Sequence, residues 1–303
     1  MLDRRTVLDA RAMTALVMCC FLWGLNQVAV KVALPEIPAL LQAGGRSLIG
    51  ALFVFVWARW RGVAMFSADG TLGAGLLAGA LFAAEFGAIF LGLQFTTASR
   101  MVVFLYLSPF VLALGMPFIS RAERLAGAQA LGLLLAFAGV AWAFAESFTL
   151  PAAGPRQWWG DALGVAAALL WGATTMVIRA SRLSTASAEK TLLYQLGVTG
   201  VALTIVGAMG GESWPTSMSL LVAVSFVFQS VIVAFASYLV WFWLVRHYPA
   251  TLLASFTLLT PVFGLLMGAW LLSEPITPRL WLALAAVCTG IVLVNRRASE
   301  RPA

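Results

Sequence analysis

The 303-residue chain is 62% hydrophobic and only 10% charged. Soluble domains carry about 25% charged residues, so this composition excludes a soluble enzyme or nucleic-acid-binding module and marks an integral membrane protein. The net charge of +7 points to no polyanionic partner, because its distribution follows a membrane topology.

Apolar runs of roughly 20 residues, enough to cross about 30 Å of hydrocarbon as helix, recur along the chain. Ten spans are predicted, over about 12–33, 39–59, 72–92, 98–118, 126–145, 159–179, 190–209, 219–243, 250–272 and 279–295. The first run lacks a small-residue cleavage site and continues through Lys31 towards the second. It therefore reads as a retained helix, not a removable signal peptide. With the N-terminus in the cytoplasm, 14 of the 19 basic residues fall at cytoplasmic ends. Three (Arg100, Arg156 and Arg279) fall on the other side, and Lys31 and Arg46 lie within spans. This positive-inside bias predicts cytoplasmic tails at 1–10 and 297–303.

In the first span, Leu22-Trp23-Gly24 is followed by Asn26 and Gln27, and in the sixth Leu170-Trp171-Gly172 is followed by Thr174 and Thr175. A tryptophan at mid-membrane depth is out of its usual interfacial place, and a glycine beside it lets another backbone approach. The connection at about 146–158 carries two prolines and divides the spans into two sets of five. The sets match each other. Trp23-Gly24 pairs with Trp171-Gly172, Ala98 and Pro109 with Ala250 and Pro261, and Glu123 and Gly139 with Glu274 and Gly290. An odd number of spans per set inverts the second copy. The fold expected is all-α, ten transmembrane helices as two inverted five-helix repeats (12–145 and 159–296) around a central cavity, an arrangement of secondary transporters.

This ordered set resembles the drug/metabolite transporter superfamily in its ten-span form with two EamA-type repeats. The matching positions are Trp23-Gly24, Arg46, Thr97-Ala98-Ser99, Pro109 and Glu123, then Trp171-Gly172, Pro249-Ala250, Pro261 and Ser273-Glu274-Pro275. Tyr194-Gln195 stands where Arg46 would map in the second repeat, so the halves need not contribute equally. The chain is also similar, less specifically, to the YddG-like aromatic amino acid exporters. The resemblance implies an alternating-access exporter of small amphipathic metabolites in a bacterial-type inner membrane, with amino acids bearing apolar or aromatic side chains foremost. Carriers of nucleotide-sugars or sugar phosphates and exporters of hydrophobic drugs are rivals of the same fold, and an intramembrane enzyme is a more distant one. The partners expected are a small-molecule substrate and the bilayer, with no nucleic acid and no cofactor, and one ten-span chain suffices as a functional monomer.

Glu85 is the one acidic residue deep inside a span, and an intramembrane carboxylate is costly unless neutral or paired. Lys31 and Arg46 reach similar depth. Glu85 either binds a substrate ammonium or cycles a proton, with Lys31 or Arg46 near a carboxylate, or the three form a structural ion pair or triad. Trp23, Asn26, Trp171 and Thr175, with Tyr106, Gln229 and Tyr238, are the remaining candidates for the cavity wall; packing is the alternative for each. Pro109 and Pro261 each remove a backbone donor within a span and are candidate hinges. The three cysteines read as small core residues without disulfide or metal roles. His247, the single histidine, lies at a span end, which argues against a histidine-based triad or metal cluster and hence against an enzyme.

Overall fold

A computed structural model describes residues 8–92, 94–96, 98–120, 124–143, 145, 154–272 and 278–296. Residues 1–7 and 297–303 of the tails and the matched positions Thr97, Glu123 and Ser273–Pro275 lie outside these. The described chain is helical without a strand. Its helices are α1 (Ala10–Ala33), α2 (Ala39–Trp60), α3 (Leu72–Gly92), α4 (Ala98–Leu105), α5 (Ser108–Ile119) and α6 (Gly127–Ala143). They continue as α7 (Gln157–Ala180), α8 (Ala188–Met209), α9 (Leu220–His247), α10 (Ala250–Thr257), α11 (Leu259–Leu272) and α12 (Pro278–Arg296). With α4 and α5 forming the fourth span and α10 and α11 the ninth, the ten spans stand.

Side-chain caps start several of them. Asp9 accepts from Ala12 N at 2.8 Å, and Ser187 accepts from Lys190 N at 3.1 Å, each satisfying a donor that the first helical turn leaves open. The fourth and ninth spans are broken, a stronger feature than the kinks expected. A proline ring clashes with the carbonyl four residues back and lacks its own donor. Accordingly α4 ends at Leu105, four before Pro109, and α10 ends at Thr257, four before Pro261.

The packing has a pseudo-twofold pattern. The second span lies on the seventh and the fifth on the tenth, each pair mapping onto itself when the halves are exchanged. The other large contacts come in matched pairs: first on ninth with sixth on fourth, third on sixth with eighth on first, third on seventh with eighth on second. The two halves are thus inverted repeats held chiefly by contacts across them. Where the fifth and tenth spans cross, a Cβ on Gly132 would lie 2.7 Å from the Gly290 carbonyl oxygen. Gly24 lets the backbone of α11 approach, its would-be Cβ lying 2.7 Å from Gly264 N and 2.9 Å from Thr260 O. Gly172 makes room for a side chain instead, Val111 of α5.

The midsection of α9, Phe228–Ser237, is π-helical. Such segments usually occur as single-turn bulges, often at functional sites; this one runs for 10 residues. Cys19 and Cys20 are buried as expected, but Cys288 of α12 is exposed and is not a core residue.

Candidate functional site

The two halves enclose a cavity of about 130 Å³. Its lining comes from spans one, two, three, four, six, seven and eight. The tryptophans that break the interfacial rule both line it. Trp23 donates its indole N–H to Ser237 Oγ at 2.9 Å and stands edge-on to Tyr238 and Trp241, with centroids 6.0 Å and 5.4 Å away. Trp171 stands edge-on to Tyr106 at 5.9 Å. Tyr106 reaches the wall because it occupies the break between α4 and α5.

Arg46 is 2% exposed. It donates from Nη2 to Tyr238 OH at 3.2 Å, and its guanidinium lies 4.6 Å from the centre of the Phe86 ring, a cation–π geometry. Its Nε has no partner. Glu85, 5% exposed, also lines the cavity. Its Oε2 has no hydrogen-bond partner, and no ion pair joins it to Arg46 although the field of that guanidinium reaches it. A direct Arg46–Glu85 pair is therefore not what holds these helices together. Asn26 and Thr175 are cavity-lining too, with Asn26 Oδ1 unpartnered. Thr175 donates back to Trp171 O at 3.2 Å, which keeps its hydroxyl from competing for other acceptors.

One cavity candidate stands elsewhere. Gln229 is away from the lining: its carbonyl accepts from Gln42 Nε2 at 3.0 Å and its amide donates to Ala29 O at 3.2 Å. The π-helical widening of α9 places it at the crossing with α1 and α2, where it is a structural tie. The side chain of Lys31 lies outside the described residues. Pro109 and Pro261 mark the breaks in spans four and nine without entering the lining.

Sequence reasoning did not single out Phe82, Phe86 or Phe90, which the pattern of 20 phenylalanines gives no means to separate from lipid-facing ones. It noted Gln195 only as a departure from the repeat. That signal was sufficient to find it: Arg46 stands seven residues into α2, and Gln195 seven residues into α8, so the two enter to equal depth from opposite faces.

Polar ties close the bundle on both sides. Asp161 accepts from Thr96 Oγ1 at 2.7 Å and pairs with Arg100 at 2.5 Å. On the opposite face Tyr248 donates its hydroxyl to Asp9 Oδ2 at 3.1 Å. Lys190 pairs with Asp69 at 2.7 Å, linking the start of α8 to the connection before α3.

Comparison with known proteins agrees with this architecture. Residues 10–145 and 158–296 each match the EamA-like transporter family. The chain is 29% identical over 291 residues to the uncharacterized transporter YvbV of Bacillus subtilis, covering 93% of this chain and 90% of that one. It is 28% identical over 280 residues to a probable amino-acid metabolite efflux pump of Escherichia coli, covering 89% and 90% respectively. A solved crystal structure shares the fold, with a TM-score of 0.82 at 17% identity over 97% of this chain and 99% of that one.

Proposed function

Because the chain belongs to the EamA-like transporter family, we propose that it exports small amphipathic metabolites, zwitterionic amino acids with apolar or aromatic side chains foremost. The observation that carries this reading is that Arg46 and Glu85 enter one aromatic-walled cavity without pairing to each other. A zwitterion brings one charge of each sign, so its carboxylate suits Arg46 and its ammonium suits Glu85. Each buried charge then gains the partner that a low-dielectric site demands. The aromatic walls take the apolar remainder. The efflux-pump relative in Escherichia coli supports the same substrate class and the outward direction.

The bias of basic residues supports a bacterial inner membrane with both termini on its cytoplasmic side. Alternating access then follows from the inverted halves rocking about the cavity, with the breaks before Pro109 and Pro261 as hinges. Opening one end requires releasing the Asp161 ties, and opening the other requires releasing the Tyr248–Asp9 tie. One chain encloses the whole site, so a monomer suffices. A second reading, an anionic solute of the sugar-phosphate type, is favoured by Arg46 but opposed by the carboxyl of Glu85 in the same cavity.

The test is uptake of labelled phenylalanine into proteoliposomes of purified protein, with and without a pH gradient. Saturable uptake competed by other amino acids is expected, and gradient dependence marks transport as proton-coupled, with the Glu85→Gln variant deciding whether Glu85 carries the proton. Uptake no greater than in empty vesicles, combined with uptake of a labelled sugar phosphate, overturns the reading in favour of the anionic one.

A further inference from the structure

Gln195 is fully buried and lines the cavity, yet neither its amide nitrogen nor its carbonyl oxygen has a partner. Buried polar side chains are nearly always satisfied, and each exception needs an explanation. An apolar side chain of the same volume would suit an aromatic wall better, because an unmade buried donor and acceptor both carry a desolvation penalty. The repeat sharpens the contrast. At the equivalent depth of the first half stands Arg46, a full charge, whereas the second half presents a neutral dipole. The cavity therefore has a charged pole built by the first repeat and a neutral hydrogen-bonding pole built by the second. Gln195 offers one donor direction and one acceptor direction to whatever occupies that pole.

We propose that Gln195 is a specificity-determining residue that reads a neutral hydrogen-bonding group, a hydroxyl or amide, at the side-chain end of the transported amino acid. The inference rests on the amino acid reading above and refines it: an apolar side chain is carried, but one ending in a hydroxyl is preferred. A site built to bond a substrate hydroxyl discriminates against the analogue lacking it, because that analogue leaves the site's own polar groups dry and unpaired.

The experiment is uptake of four labelled amino acids into proteoliposomes, as two near-isosteric pairs: tyrosine against phenylalanine and threonine against valine. In the wild type, kcat/KM for the hydroxylated member should exceed that of its partner by about tenfold in at least one pair. In Gln195→Leu that ratio should fall to about one. Gln195→Asn, which keeps the amide but withdraws it, should lower the ratio as well and serves if the leucine variant fails to fold. A wild-type ratio near one for both pairs overturns the role of Gln195 while leaving amino acid export standing. A ratio unchanged in folded Gln195→Leu does the same. Absence of uptake for all four overturns the amino acid reading itself.

Discussion

Thr96 and Tyr248 stand in equivalent places, each two residues before the alanine that opens the fourth or ninth span, and each donates its hydroxyl to an aspartate of the opposite half of the chain. The aspartates lie near the starts of the matched helices α1 and α7, Asp161 about one turn deeper than Asp9. The two ties are therefore related by the inversion and sit at opposite faces. Asp161 also pairs with the guanidinium of Arg100. Removing its charge should bias the molecule towards opening at that end. With both partners of the pair mostly covered (14% and 17% exposed), the loss is about 1 kcal/mol, which shifts a two-state population about fivefold. Asp161→Asn in a cysteine-free background should raise the labelling rate of a cysteine at Leu105 by a membrane-impermeant thiol reagent. An unchanged rate would remove this tie from the gating of that face.

Gly132 and Gly290 bring two backbones together where the fifth and tenth spans cross. Gly132→Val should therefore lower the thermal stability of the detergent-solubilised protein, by about 1–3 kcal/mol for an overpacked contact whose opposing atom is a carbonyl that no rotamer change can move. Gly197 is the contrasting case. Its would-be Cβ meets nothing within 4 Å, so Gly197→Ala should be neutral or stabilise the helix by about 0.5–1 kcal/mol. The comparison of the two melting temperatures checks both.

Most of the architecture was legible because membrane helices are specified by one coarse quantity, apolar length, and because the repeat supplies its own internal check. Trp23 and Trp171 were found as residues at the wrong depth, and both line the cavity. Glu85 and Arg46 were found as charges where charge is costly. What escaped was whatever depends on helix rotation. Gln229 and Gln195 are the same residue type in spans eight and seven, yet one is a satisfied tie and the other an unpaired cavity group. The π-helical stretch of α9 changes the angular step between residues, so no period of 3.6 read from the sequence could place Gln229. Phe86 likewise stacks on Arg46 only because α2, α3 and α9 meet there, a long-range relation without local signature.

Asp69 lies at the surface in the connection between α2 and α3. The Lys190 ammonium, with the Thr71 and Ser67 hydroxyls and the Thr71 N–H, holds its carboxyl well below the usual carboxylate range. A depressed folded-state value stabilises the fold above the ordinary carboxylate range, near pH 4, and that contribution drains away as pH falls towards the depressed value. Asp69→Asn should therefore be less stable than the wild type at pH 7, with the gap narrowing as both are titrated below pH 4. Thermal denaturation across that range is the measurement. A gap that stays constant would mean that Asp69 acts through uncharged hydrogen bonds alone.

Glu85 separates the coupling and binding versions of the mechanism. Glu85→Gln keeps the shape and much of the hydrogen-bonding capacity of the side chain but removes its charge and its titration. Because Glu85 Oε2 has no partner and no ion pair to Arg46 is broken, the variant should fold normally and elute as the wild type does. Uptake in proteoliposomes should nevertheless fall by about tenfold or more, the cost of leaving a substrate ammonium without its charge-assisted bond. If Glu85 only binds the ammonium, the loss appears as a raised KM and any dependence on the pH gradient persists. If Glu85 carries the proton, the gradient dependence vanishes while exchange of substrate across the membrane at equal pH survives. Wild-type turnover with wild-type gradient dependence would take Glu85 out of the mechanism and leave Arg46, held by Tyr238, as the one charged anchor of the lining.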